Sequence, residues 1–156
     1  MDIFNFPAIS EATGKEIALL SDMEKIELAE YYMLHFMGGT TVSPPLEHYV
    51  CNGTYTRVIH LPKGMMLTGK VHNYDHTSQL LQGEVTIMTP AGIEHRQAPC
   101  TWVSPAGTKR LIYVHEDTIW ATIHRSEKTE VSDLEKELVH ESDLSWVAGL
   151  LPGGTA

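Results

Sequence analysis

The strongest constraint in this sequence is its punctuation: from residue 46 onward, short β-prone runs are separated by turn residues at intervals near the ~8–12 residues of an all-β sandwich or barrel. The runs cover residues 55–61, 66–74, 78–81, 84–89, 101–104, 111–114 and 119–124. Between them stand Pro62-Lys63-Gly64, Gln82-Gly83, Pro90-Ala91-Gly92 and Pro105-Ala106-Gly107, whose residues supply the backbone angles that turns require. The core is expected to be antiparallel β.

The flanks follow another period. Between Lys15 and Met37 the apolar residues Ile17, Leu20, Met23, Ile26, Leu28, Tyr31, Met33, Leu34 and Met37 recur mostly at three- and four-residue steps, with Glu16, Glu24, Glu27 and Glu30 between them. This predicts one or two amphipathic helices. Gly38-Gly39 supplies a stop, and Ser43-Pro44-Pro45 forces an extended entry into the β region. After the strands, Ser132-Asp133-Leu134-Glu135 has capping-box spacing and predicts a short helix reaching about His140, followed by a frayed tail at Pro152-Gly153-Gly154-Thr155-Ala156. The expected division is a helical extension at residues 1–40, a β-barrel at 41–126, and a C-terminal helix and tail at 127–156.

A length of 156 residues suits one domain that buries a core without disulfide or metal staples. Twenty acidic against eleven basic residues leave a net charge of -9, which on average repels a polyanion and argues against a long nucleic acid as partner. A local basic spot is still open to a small phosphate, because Arg57, Lys70, Lys109 and Arg110 can converge in a fold that net charge does not describe. Cys51 and Cys100 match no Cys-x-x-Cys spacing and are expected to be reduced, mostly buried thiols. Residues 1–10 lack a basic region and an apolar run of signal-peptide length, and no stretch approaches the ~18 apolar residues of a membrane span. A cytoplasmic chain with no membrane partner is the expectation.

Strand alternation decides which side chains can meet. Over residues 66–74 one face carries Met66, Thr68, Lys70, His72 and Tyr74. His76 follows after Asn73-Tyr74-Asp75, where a bend can bring its imidazole beside that of His72 as a two-nitrogen metal site. Tyr74, between the two, is placed to stack on a ligand. Trp102 and Trp120 read as core or subunit-interface residues, and Glu84 beside Gly83 as a solvated turn residue. The sequence has no Gly-rich phosphate loop, no Gly-x-Ser-x-Gly elbow and no cysteine nucleophile with an identifiable base.

The segment Gly69-Lys70-Val71-His72-Asn73-Tyr74-Asp75-His76, closed by Gly83, resembles the first motif of the cupin superfamily: a glycine, a His-x-His pair, a glutamate and a later glycine. In that frame His72 takes the second histidine, His76 the glutamate, and Lys70 the first histidine. The second cupin motif, Pro-x-Gly followed by a histidine, is similar to Pro105-Ala106-Gly107-Thr108-Lys109-Arg110, with Arg110 at the last place. The likeness covers residues 50–125 and extends to small single-domain cupin-like proteins of bacteriophage and bacterial genomes. It implies a mainly β fold, a cupin-type double-stranded β-helix (jelly-roll barrel) flanked by the N-terminal amphipathic helical segment and the short C-terminal helix.

A mononuclear metal needs a third ligand beside His72 and His76. His124 is the first choice, because Trp120, Thr122 and His124 share one face of the last strand; His60 and His115 are the others considered. Three histidines suit Fe, Zn, Ni, Cu or Mn as a divalent ion. Lys70 and Arg110, if both point inward as the cupin frame implies, place two cations where a carboxylate or phosphate could bind. Against this, Lys109 and Arg110 could lie at a strand edge paired with Glu116, Asp117 or Glu84. Two readings therefore stand: a pocket for a small polar or anionic molecule with a histidine-bound metal, and a metal-free pocket that sequesters an anion such as a nucleotide. Homo-oligomerisation, with the N-terminal helix on a neighbouring copy, is compatible with either.

Overall fold

The computed structural model describes residues 20–39 and 44–150, with side chains at the C-terminal end described as far as Val147. Ile17 and the rest of residues 1–19, Ser43 and the expected tail at 152–156 lie outside the described residues.

Helix α1 spans Asp22–Phe36 and opens on a capping box absent from the expectations above. The Glu24 amide donates to Ser21 Oγ at 3.2 Å, and the Ser21 amide donates to Glu24 Oε2 at 2.7 Å. Both are N–H groups that the first turn would otherwise leave unpaired. At the other end the Gly39 amide donates to the Met33 carbonyl at 2.8 Å, and a Cβ on Gly39 would stand 2.6 Å from that same oxygen. Ile26 and Ala29 pack on Met88 and Leu111, and Leu28 on Val147, so the chain's own barrel and C-terminal segment cover the buried face of α1.

Among the described residues nine strands follow: β1 (Leu46–Cys51), β2 (Thr54–Leu61), β3 (Met66–Thr68), β4 (Val71–His72), β5 (His76–Thr89), β6 (Gly92–Gln97), β7 (Cys100–Ser104), β8 (Leu111–Arg125) and β9 (Val139–His140). They are joined by two helices, α2 (Val131–Leu138) between β8 and β9 and α3 (Ser145–Leu150) at the end. Every pairing is antiparallel, in the order β1-β2-β8-β5-β6, with β3 on β8, β7 on β5, and β4 with β9 as a separate pair. The architecture is the mainly β jelly-roll type.

Two long strands carry it. β5 serves β7 with its first half and β6 with its second, while β8 serves β3 and then β2. The four short runs expected at 78–81, 84–89, 111–114 and 119–124 are therefore two continuous strands. Gln82-Gly83 bends β5 through register shifts instead of reversing it. Gly83 has φ 95°, and a Cβ there would lie 2.6 Å from the Asp117 carbonyl oxygen of β8, so the crossing demands glycine. Glu84, expected in a turn, lies in β5 and pairs with His95 at 2.7 Å.

Other expectations are corrected. The run 66–74 breaks at Gly69-Lys70 into β3 and β4, so its alternation does not continue through Lys70. Strands β1 and β6 were not anticipated, since charged and polar residues interrupt both. Helix α2 starts at Val131 with Glu130 as its N-cap and no side-chain cap, so Ser132 lies inside the helix. Cys51 is exposed. Leu61, Leu80, Val85, Ile87, Ile112, Val114 and Trp120 form the main core, where each large side chain contributes ~1.5–3 kcal/mol of burial. Among the described residues no helix is long and apolar enough to cross a membrane.

Candidate functional site

Three backbone constraints build the site. β4 places His72, the turn Asn73-Tyr74-Asp75 carries the chain over, and β5 begins on His76. That turn is clamped from both sides. The Ala106 amide donates to Asp75 Oδ1 at 2.7 Å, the Gly107 amide to the His72 carbonyl at 2.7 Å, and the Asn73 amide to the Leu138 carbonyl at 2.8 Å. His124 comes from the far end of β8, opposite Tyr55 of β2.

The three imidazoles stack nearly parallel. Ring centroids are 4.1 Å apart for His72 and His76, 4.4 Å for His76 and His124, and 5.3 Å for His72 and His124, with interplanar angles of 20° or less. One nitrogen from each lies within 4.8 Å of the others. His72 Nδ1 and His124 Nε2 are 3.2 Å apart and share a single proton between them, and the buried His124 Nδ1 has no partner.

Arg110, the residue at the second motif's histidine position, joins this cluster. Its Nη2 donates to His76 Nε2 at 2.9 Å, which leaves the His76 proton on Nδ1, 3.2 Å from the Tyr74 carbonyl it donates to. Burial, then the charge of Arg110 and the neighbouring imidazoles, push His72 down to about 2. Burial and Arg110 lower His76 to about 4 against the opposing Tyr74 carbonyl and Asp75, and burial with His76 and Arg110 lowers His124 to about 4. Burial also lowers Arg110, to about 10, so it keeps its charge at neutral pH. The site is thus three neutral imidazoles beside two guanidiniums, Arg110 in contact with His76 and Arg57 acting through its charge on His72 and His124.

Of this group His72, Arg57 and Arg110 line a cavity of about 550 Å³, a volume typical of small-molecule sites, with His76 and His124 behind them. Arg57, Lys70, Lys109 and Arg110 all line it, as the basic-spot reading anticipated, but in different states. Lys109 is 1% exposed and pairs with Glu30 of α1, and Arg110 is 7% exposed; neither sits at a strand edge with Glu116, Asp117 or Glu84. Lys70 stands at the rim, its side chain 47% exposed and 3.9 Å from Glu141, and makes no hydrogen bond to the histidines. Tyr74 is 54% exposed and does not line the cavity; only its carbonyl serves the site. His60 pairs with Glu47 and His115 with Thr86, so neither reaches the cluster.

Glu135 also lines the cavity and was not among the sequence candidates, whereas Arg57 was named only for the basic spot. For Arg57 a signal existed: Tyr55, Arg57, Ile59 and Leu61 alternate along β2, and a guanidinium on an otherwise apolar face marks an interior ligand site. Trp120, expected as core, lines the cavity as well.

No protein-family model matches the chain, and no curated protein matches it. Solved structures do. A protein from Neisseria meningitidis is 12% identical, with 60% of this chain and 96% of that chain covered at a TM-score of 0.47. A cupin-2 domain containing protein from Shewanella frigidimarina is 13% identical (65% and 97% covered, TM-score 0.43), and a cupin superfamily protein from Desulfitobacterium hafniense is 12% identical (57% and 84%, TM-score 0.44).

Proposed function

Given a cupin-like barrel, we propose that this chain binds a divalent metal ion through His72, His76 and His124 and holds a small polar or anionic molecule beside it in the adjoining cavity. The observation that carries this is the convergence of three buried imidazoles from separate segments, one of them with an orphaned nitrogen. Neutral imidazole is the ligating form, and depression of all three pKa values keeps these rings in that form well below neutral pH. The donor set suits Fe(II), Zn(II), Ni(II), Cu(II) or Mn(II). When bound, such an ion supplies a Lewis acid that polarises an oxygen of the bound molecule.

The chain's own residues do the rest. The clamped turn fixes two of the rings, and the Asp75 and Asn73 contacts hold that turn to its neighbours. Arg110 presents a cation to an anionic group, and in doing so it releases the lone pair of His76 that it otherwise occupies. Anion binding and metal binding therefore favour one another.

That same Arg110 to His76 hydrogen bond supports a second reading, a metal-free anion pocket in which the histidines only accept and donate hydrogen bonds. Metal analysis of tag-free protein, as purified and after adding Fe(II), Zn(II), Ni(II) or Mn(II), separates the two. One equivalent of ion, lost in His124→Ala, is expected; protein that takes up none of these ions leaves only the second reading.

A further inference from the structure

The cavity beside the histidines has two unlike halves, and together they define a ligand class. At the histidine end stand two guanidiniums. Arg57 has no hydrogen-bond or ion-pair partner among the described residues, and its Nε is buried. Arg110 donates only to a neutral imidazole, with its guanidinium 5.2 Å from the Trp120 ring centre. The indole N–H of Trp120, which lines the same cavity, is also buried without a partner. Unpaired buried donors are costly, and these two belong to side chains that line one cavity, where an acceptor would have cations to meet. The other cations are already answered: Lys109 by Glu30, and Lys70 at the rim by Glu141. Glu135 lines the wall as well, which leaves two free guanidiniums against one carboxylate.

Much of the remaining wall is apolar, formed by Ile59, Leu61, Met65, Leu67 and Ile112, and Thr68, Thr122 and Ser142 add hydroxyls to it. A polyphosphate would bring several charges to a site with a surplus of one, and the cavity has no Gly-rich loop to receive them.

We propose that the ligand is a carboxylic acid with an apolar body, its carboxylate between Arg57 and Arg110 at the histidine cluster and its body along Ile59, Leu61, Met65 and Ile112. This rests on the pocket reading above and names the molecule's class. It requires the two guanidiniums but not the metal, so the two ideas fail separately.

The test is calorimetric titration of the full chain, chelated and zinc-loaded, with octanoate, octanamide and adenosine monophosphate. Octanoate is expected to saturate both forms, with octanamide weaker by about tenfold or more, since the guanidinium contacts need the charge. Arg57→Gln is expected to lose about tenfold in octanoate affinity while taking up zinc as wild type does. Octanoate binding without zinc uptake supports the carboxylate site and defeats the metal. Zinc uptake without octanoate binding at millimolar concentration overturns the carboxylate site and spares the metal. Octanamide matching octanoate, or adenosine monophosphate exceeding it, also overturns it. Should Arg57→Gln fail to fold, the acid and amide comparison on wild-type protein decides alone.

Discussion

Lys109 and Arg110 are neighbours in sequence and both buried, yet they serve opposite purposes. Lys109 turns toward α1 and meets the Glu30 carboxylate, so its charge is cancelled within the chain and the helix is pinned to the barrel. Arg110 turns toward the histidines and meets no carboxylate. A buried charge that is paired holds a structure together, whereas one left facing neutral nitrogens holds a place for something else. The helix seam and the histidine end should therefore respond differently to the same perturbations.

Acid should produce the largest difference. Each site histidine has a folded pKa depressed from 6.5, so as pH falls below 6.5 the unfolded chain takes up protons that the folded chain refuses. The stability of the chelated protein is full above pH 6.5 and falls toward about pH 4, by up to ~1.4 kcal/mol per imidazole per pH unit. Denaturant unfolding across that window measures the slope, and replacing His72 with Asn should flatten it. Amide exchange should show β4 and β9 opening before α1. A stability flat between pH 7 and 4 would contradict the description of the histidine end.

Next in size is the seam. Glu30→Leu leaves Lys109 buried and alone, and should cost ~3–5 kcal/mol by denaturant midpoint; adding Lys109→Met should recover most of it. Arg110→Met is the matched change at the other end. It removes a charge that no ion pair holds and that Glu94 favours only from a distance, so stability should move by less than ~1 kcal/mol. Zinc affinity should instead rise by about tenfold, because a charge-assisted hydrogen bond no longer competes for His76 Nε2. Competition against a chromogenic chelator reads it. Weaker zinc binding in Arg110→Met would show that the guanidinium supports the metal.

The same two regions explain what could be seen beforehand. Turn punctuation revealed the β architecture because Gly and Pro act locally, and it placed Gly83, whose missing Cβ the β5 and β8 crossing requires. It misplaced strand ends because a glycine bulge and a glycine turn look alike in sequence, and only the partner strand decides between them. His72, His76 and Arg110 were visible through motif spacing. His124 was visible through alternation along a regular strand. Glu30 and Glu135 were not, because each lies on a helix whose docking onto the barrel is a long-range event that no local pattern reports.

Lys70 and Tyr74 show where alternation misleads, and they give the smallest expected effects. Both were placed on the face of His72 by counting along one strand, but Gly69-Lys70 interrupts that strand, and Tyr74 falls in the turn beyond its end. Lys70 is left half in solvent beside Glu141, where screening and side-chain entropy reduce an ion pair to ~0–1 kcal/mol. Lys70→Ala should weaken an anionic ligand of the cavity by no more than about threefold, against about tenfold for Arg57→Gln. Tyr74→Phe removes an exposed hydroxyl and keeps the carbonyl that orients His76, so stability should stay within ~0.5 kcal/mol of wild type and zinc uptake should not change. If Lys70→Ala matched Arg57→Gln, the anion would sit at the cavity's rim and not among the histidines, and the contrast between a paired Lys109 and a waiting Arg110 would lose its functional meaning.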